Sequence, residues 1–204
     1  MSSAAPPPAA LPAGEGNRFL VAFAAAVVEG WSLTRAEPVA RTGDLATCLW
    51  ALDRGDEALR VALAVTAVIT EPPPLGRAGR PDMAVWAAAL GLHALEARLH
   101  RLAGRAADGA AAAARIRAHP ALADAPRFLN GLVREAPALY AGARAEPVTA
   151  HGCGIVARRV RLLMVTQEFA ASGGRRGRFL DPAGAQVQVD AGLAVLREVL
   201  ERAR

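Results

Sequence analysis

The stretch RFLDPAGAQVQVD, residues 178–190, decides whether this chain is purely helical. Asp181-Pro182-Ala183-Gly184 has the composition of a tight turn. Phe179-Leu180 precedes it, and Gln186-Val187-Gln188-Val189 alternates polar with apolar after it. Turn residues beside period-two alternation predict a small β-hairpin over 178–189.

On both sides of that stretch, helical spacing takes over. Upstream, Ile155, Leu162, Thr166 and Phe169 share one side of a helix expected from Ile155 to Ala171, which Gly173-Gly174 stops. Downstream, Asp190 caps a last helix carrying Leu193, Leu196 and Leu200. Further back, Asn17 caps a first helix to Glu29, with Phe19, Phe23 and Val27 at helical spacing. Pro38 and Gly43 mark a loop, and a second helix is expected from Asp44. A third starts at Asp56 and contains VALAVTAVIT (61–70); apolar almost all round, it is expected to be the central element. Pro81-Asp82 opens the longest helix, to about Arg105, with Val85, Leu92, Leu95, Leu99 and Leu102 as a heptad-like stripe. An alanine tract, 106–114, and a helix over 126–136 follow, the latter broken or bent by Pro137.

The expected fold is therefore mainly α: a single bundle-like domain of six to eight helices over residues 17–204, with the small hairpin near its C-terminus. A sub-boundary is expected near 143–150, so that a helix–hairpin–helix appendage is the second arrangement. Residues 1–16, MSSAAPPPAALPAGEG, hold too few large apolar side chains to offset their ordering entropy and predict a disordered tail.

Composition points the same way. Fifty of the 204 residues are alanine, the best helix former, and aromatics are only 4%. Trp31, Trp50 and Trp86 are read as core or interface packing. All 24 basic residues are arginine. Residues 1–150 are nearly balanced in charge, whereas 151–204 hold nine arginines against five acids. The apolar runs at 19–28, 61–70 and 83–92 are each too short to span a membrane. The N-terminus lacks the basic start and apolar core of a signal peptide, so a cytoplasmic chain is expected.

Three constellations carry chemistry. His93, Glu96 and His100 fall within about a 60° arc of one helix, a candidate metal-ligand face. Spread over two turns, they rise about 10 Å, and a polar strip beside the leucine stripe is the expected reading. His151-Gly152-Cys153-Gly154 precedes a helix, where a thiol beside an imidazole can be lowered in pKa and act as a nucleophile. Arg158, Arg159, Arg161, Arg175, Arg176 and Arg178 form the densest basic clusters, candidates for holding an anion or a partner. No Walker loop, serine nucleophile elbow or HExxH occurs, and no cofactor is indicated.

The sequence thus points to a non-catalytic helical interaction or accessory protein. Its expected partner is another protein, or a second copy in a homo-oligomer, contacted through the arginine-rich C-terminal quarter. Nucleic-acid or phosphate-ligand binding by the same surface is the alternative. A small enzyme using Cys153/His151, or a metal at His93/Glu96/His100, is the third.

Overall fold

The computed structural model describes residues 17–29, 36–66, 83–117, 125–145, 149–172 and 177–203. The expected tail, 1–16, lies outside them. The described residues form eight α-helices: α1 (Arg18–Glu29), α2 (Ala36–Ala51), α3 (Gly55–Thr66), α4 (Met83–Leu102), α5 (Ala106–Arg117), α6 (Ala125–Ala145), α7 (Ala150–Ala171) and α8 (Pro182–Glu201). A 3-10 turn, Gly177–Phe179, precedes α8. The hairpin expected over 178–189 is not formed, and no strand occurs among the described residues.

The reason lies in Asp181-Pro182. Asp181 is a helix cap, its carboxylate accepting from the Gly184 amide at 2.8 Å, and Pro182 occupies the first helical position. Proline suits that position because its missing N–H is one that a helix leaves unpaired anyway. The Gln-Val-Gln-Val alternation is too short to override the longer helical pattern. Ala185, Val189, Gly192, Leu196 and Val199 are buried at helical spacing, while Val187 is exposed.

Two other boundaries move for related reasons. α2 begins at Ala36 rather than Asp44, so Pro38 falls in its first turn, where no intrahelical amide bond is lost. α6 runs through Pro137, which lies exposed on its outer face. Leu129, Leu132, Val133, Ala136 and Tyr140 are buried on both sides of it, and that packing outweighs one missing hydrogen bond.

The central element is α7 rather than α3. It packs against α1, α2, α4, α5, α6 and α8, whereas α3 packs chiefly on α2 and α4. α7 starts at Ala150, earlier than expected, because Thr149 is its cap, its hydroxyl accepting from the Gly152 amide at 3.0 Å. α4 is enclosed rather than striped: Leu92, Ala94, Leu95 and Ala97 are all fully buried, while Leu102 of the expected stripe is 62% exposed. No helix among the described residues is long and apolar enough to cross a membrane.

Close approach needs small residues. Gly192 of α8 lies where an added Cβ would stand 2.5 Å from Val160 and 2.6 Å from the Tyr140 hydroxyl. That hydroxyl donates to the Gln188 carbonyl at 2.9 Å, joining α6, α7 and α8 at one point. Gly192→Ala is expected to cost about 1–3 kcal/mol through overpacking. Thermal melts should show Tm lower by about 2–4 °C for each kcal/mol lost.

Candidate functional site

The arginines of α7 point inward. Asp44 of α2 is fully buried, and one of its carboxylate oxygens accepts from Arg161 at 2.7 Å. The other accepts from Arg158 at 3.1 and 3.2 Å. Arg161, 3% exposed, also donates to the Thr47 hydroxyl at 2.9 Å and the Ala40 carbonyl at 3.2 Å. Three glycines clear the space. A Cβ on Gly43 would stand 2.7 Å from the Arg161 guanidinium carbon, one on Gly91 3.2 Å from its Cβ, and one on Gly154 3.0 Å from Asp44. Arg159 donates to the Leu132 carbonyl at 2.9 Å and pairs with Glu135 at 3.5 Å, tying α6 to α7. Of the six candidate anion-binding arginines, three are therefore engaged inside the bundle. Arg178 is exposed in the 3-10 turn, and Arg175 and Arg176 lie outside the described residues. Sequence reasoning missed Asp44 and Thr47. The available signal was Gly43, Gly91 and Gly154 inside otherwise helical segments.

The same interior holds both thiols. His151 is exposed in the first turn of α7, while Cys153 is 2% and Cys48 0% exposed. Burial pushes the Cys153 thiol up from 9.0 to about 11, with the Asp44 carboxylate adding to it. Burial, Cys153 and Asp44 likewise raise Cys48 well above its ordinary value. Nucleophilic catalysis requires the opposite shift.

His93, Glu96 and His100 are buried, at 2%, 5% and 5% exposure. Glu96 lies between the two imidazoles: His93 Nδ1 is 3.6 Å from one carboxylate oxygen and His100 Nε2 is 3.8 Å from the other. From α5, Arg115 approaches Glu96 at 3.4 Å, and Asp108 lies 3.9 Å from His100 Nδ1. Burial works to raise the Glu96 carboxyl. The neighbouring His93 and Thr66 side chains and the charge of Arg115 outweigh it, so the group ionises below its ordinary 4.5. The imidazoles bracket the carboxylate instead of converging with it. No group of three or more His, Cys, Asp or Glu among the described residues could hold a metal ion.

An open groove of about 540 Å³ lies where the α2–α3 corner meets the C-terminal end of α4. Trp50, Leu59, Leu99 and Leu102 give it an apolar lining, and Asp53, Arg54, Asp56, Glu57 and Arg60 rim it. Both edges are built by helix-ending turns. At Gly104, with φ +74°, the Arg105 amide donates back to His100 and ends α4. At Asp53, with φ 61°, the Arg54 amide donates back to Leu49 and ends α2. Arg197 of α8 holds that corner, donating to the Ala51 carbonyl at 2.8 Å and to Asp53. Arg54 and Glu57 pair through two bonds of 2.7 and 2.6 Å, which lowers the Glu57 carboxyl below its usual range.

Arg161→Leu leaves Asp44 underpaired and is expected to cost about 3–5 kcal/mol in denaturant unfolding, as breaking a buried ion pair does. Adding Asp44→Asn should recover part of that loss, giving a coupling energy well away from zero. Keeping Cys153 protonated contributes stability that is full below pH 9 and lost as pH rises through about 11. Ellman's reagent should accordingly find no fast thiol in the native protein at pH 8 and both after denaturation. For Glu96, lowered in the fold, the contribution is present above pH 4.5 and lost as pH falls below it. Glu96→Gln should therefore destabilise at pH 7 by about 1–3 kcal/mol, with the gap closing in acid.

A scan against protein-family models, a search of curated proteins and a search of solved structures each return no match to this chain.

Proposed function

We propose that the protein is a non-catalytic helical interaction module that holds an extended, apolar, uncharged segment in the groove between the α2–α3 corner and the end of α4. The observation that carries this reading is the pairing of half-buried Trp50 with exposed Leu102 across an open groove of about 540 Å³. That volume falls within the roughly 300–1,000 Å³ typical of ligand sites. An aromatic and aliphatic lining inside a charged rim fits a peptide better than it fits a polar metabolite.

Charge supports an uncharged occupant. The rim carries three acids and two arginines, and Arg54 is already paired with Glu57. Asp56 and Glu57 occupy the first turn of α3, where an anion would otherwise be welcome. A phosphate or nucleic acid meets no unpaired basic cradle here. The arginines of α7 supply none either, being turned toward Asp44, Thr47 and Leu132. This reading puts the partner contact at the groove; of the C-terminal candidates, Arg178 is exposed and Arg175 and Arg176 lie outside the described residues.

Fluorescence anisotropy with labelled proline-rich and aliphatic peptides tests this. Saturable binding is expected, with Leu102→Asp lowering affinity by about tenfold or more for loss of a buried leucine contact. Leu102 is exposed, so the fold should survive that change. Lack of saturable binding by every peptide of this class would sink the proposal.

A further inference from the structure

We infer that the joined starts of α6 and α8 form a second interaction surface, which takes single-stranded nucleic acid. Bases stack on Phe128 and Phe179, and phosphates meet Arg127, Arg134 and Arg178. The surface shares no residue with the groove.

The tripeptide Arg-Phe-Leu occurs three times, at 18–20, 127–129 and 178–180. The first copy builds core. Asn17 caps α1 ahead of it, its side-chain oxygen accepting from the Phe19 and Leu20 amides at 3.0 and 3.3 Å. The Asn17 side-chain nitrogen donates to the Leu200 carbonyl at 2.9 Å. Phe19 is 6% exposed, Leu20 is fully buried, and the Arg18 guanidinium lies 5.1 Å from the centre of the Phe19 ring. The other two copies keep the buried leucine, at Leu129 and Leu180, but leave Phe128 58% and Phe179 67% exposed.

Asn130 brings these two copies together. Its amide nitrogen donates to the Phe179 carbonyl at 2.7 Å, and its amide oxygen accepts from the Asp181 amide at 3.3 Å. Two residues of helix and one side-chain bond therefore link the Phe128 and Phe179 backbones, a path that sets their α-carbons about 15 Å apart or less. An apolar side chain exposed singly is ordinary. Two aromatic rings, drawn from distant parts of the chain and pinned through one asparagine, make a patch.

Charge completes the patch. Arg127, Arg134 and Arg178 are exposed, and no ion pair holds any of them among the described residues. Arg127 and Arg134 lie two turns apart on the outer face of α6, about 10 Å along its axis. Between them, a Cβ added to Gly131 would meet only the Glu135 carboxylate, at 3.9 Å, so the face is open there. Three steps of a stacked strand, at about 3.4 Å each, cover the same distance. The neighbouring acids are occupied: Asp181 accepts from the Gly184 amide at 2.8 Å, and Glu135 pairs with Arg159.

The occupant follows from the combination. Exposed rings offer faces rather than a pocket, and every base presents a face to stack on them. Guanidinium forks match phosphate oxygens. An acidic peptide satisfies the arginines and leaves both rings wet. A membrane surface asks for a broad apolar helix face or a cluster of about four to eight cations, more than this surface holds.

The test measures fluorescence anisotropy of labelled oligothymidine and oligouridine, about ten nucleotides long, with the full chain over a range of salt. Saturable binding is expected, with log affinity falling against log salt at a slope of about −2 for three phosphates met. Arg127→Gln with Arg178→Gln should bring that slope to about −0.7. Phe128→Ala and Phe179→Ala should each lower affinity by about fivefold or more with the slope unchanged, and Phe128→Tyr with Phe179→Tyr should restore binding. Arg105→Gln with Arg117→Gln removes the same charge from exposed positions at the ends of α5 and should change affinity little. All these side chains are exposed, and melting curves check that each variant keeps the fold.

Absence of saturable oligonucleotide binding at low salt overturns the inference. So does an equal loss in the α5 control, which makes the attraction one of net charge alone. Tighter binding of a duplex, with no effect of the phenylalanine changes, overturns stacking. Binding of a polyglutamate peptide or of phosphatidylserine vesicles that depends on Phe128 and Phe179, where the oligonucleotides fail, gives the surface to that partner and overturns it as well.

Discussion

One buried ion pair governs how the rest of the bundle is arranged. Arginine cannot discard its charge inside a protein, so the Arg161 side chain, once buried, must find acceptors for its fork. It finds Asp44, Thr47 and the Ala40 carbonyl, all on α2. The stem and head need room, which Gly43 on α2 and Gly91 on α4 leave, while Gly154 on α7 leaves room for the Asp44 carboxylate. The pair thereby sets how close α2, α4 and α7 approach. A buried pair of this kind is weak evidence of net stability, but it penalises any packing that leaves one charge alone. It works here as a register pin for the three innermost helices.

An alanine-rich interior has few large side chains with which to join distant helices, and arginine takes over part of that task. Arg159 ties α7 to α6, Arg101 pairs with Glu168 to tie α4 to α7, and Arg197 ties α8 to the α2–α3 corner. Two bonds to Glu168 make the Arg101 contact a bidentate one. Long stems cover apolar surface while the heads reach carbonyls and carboxylates on the next helix. Lysine, a point charge without the fork, would satisfy fewer of these acceptors.

Helical class and most helix positions were legible because their periodicity extends over many residues. The hairpin at 178–189 was misread because Asp-Pro and a short Gln-Val alternation serve a turn or a helix start equally well. Only the spacing of Ala185, Val189, Gly192 and Leu196 separates the two. The inward direction of Arg158 and Arg161 was illegible, since nothing local marks an arginine as buried; its partner Asp44 is 114 and 117 residues away in sequence. His93, Glu96 and His100 were correctly placed on one face, but whether a neighbour covers that face depends on α5, which the α4 sequence does not contain. The groove was likewise invisible, being assembled from a corner and a distant helix end.

The last two turns of α8 serve two clients. Its Leu200 carbonyl receives Asn17, and its Arg197 holds the corner at Asp53, a residue kept in a left-handed backbone conformation that costs an L-amino acid roughly 1–2 kcal/mol. Fraying of these turns removes the cap of α1 and the brace of the α2–α3 corner together. Hydrogen exchange would therefore see segments far apart in sequence open as one cooperative unit, with the weak seam of the bundle running across chain order rather than along it.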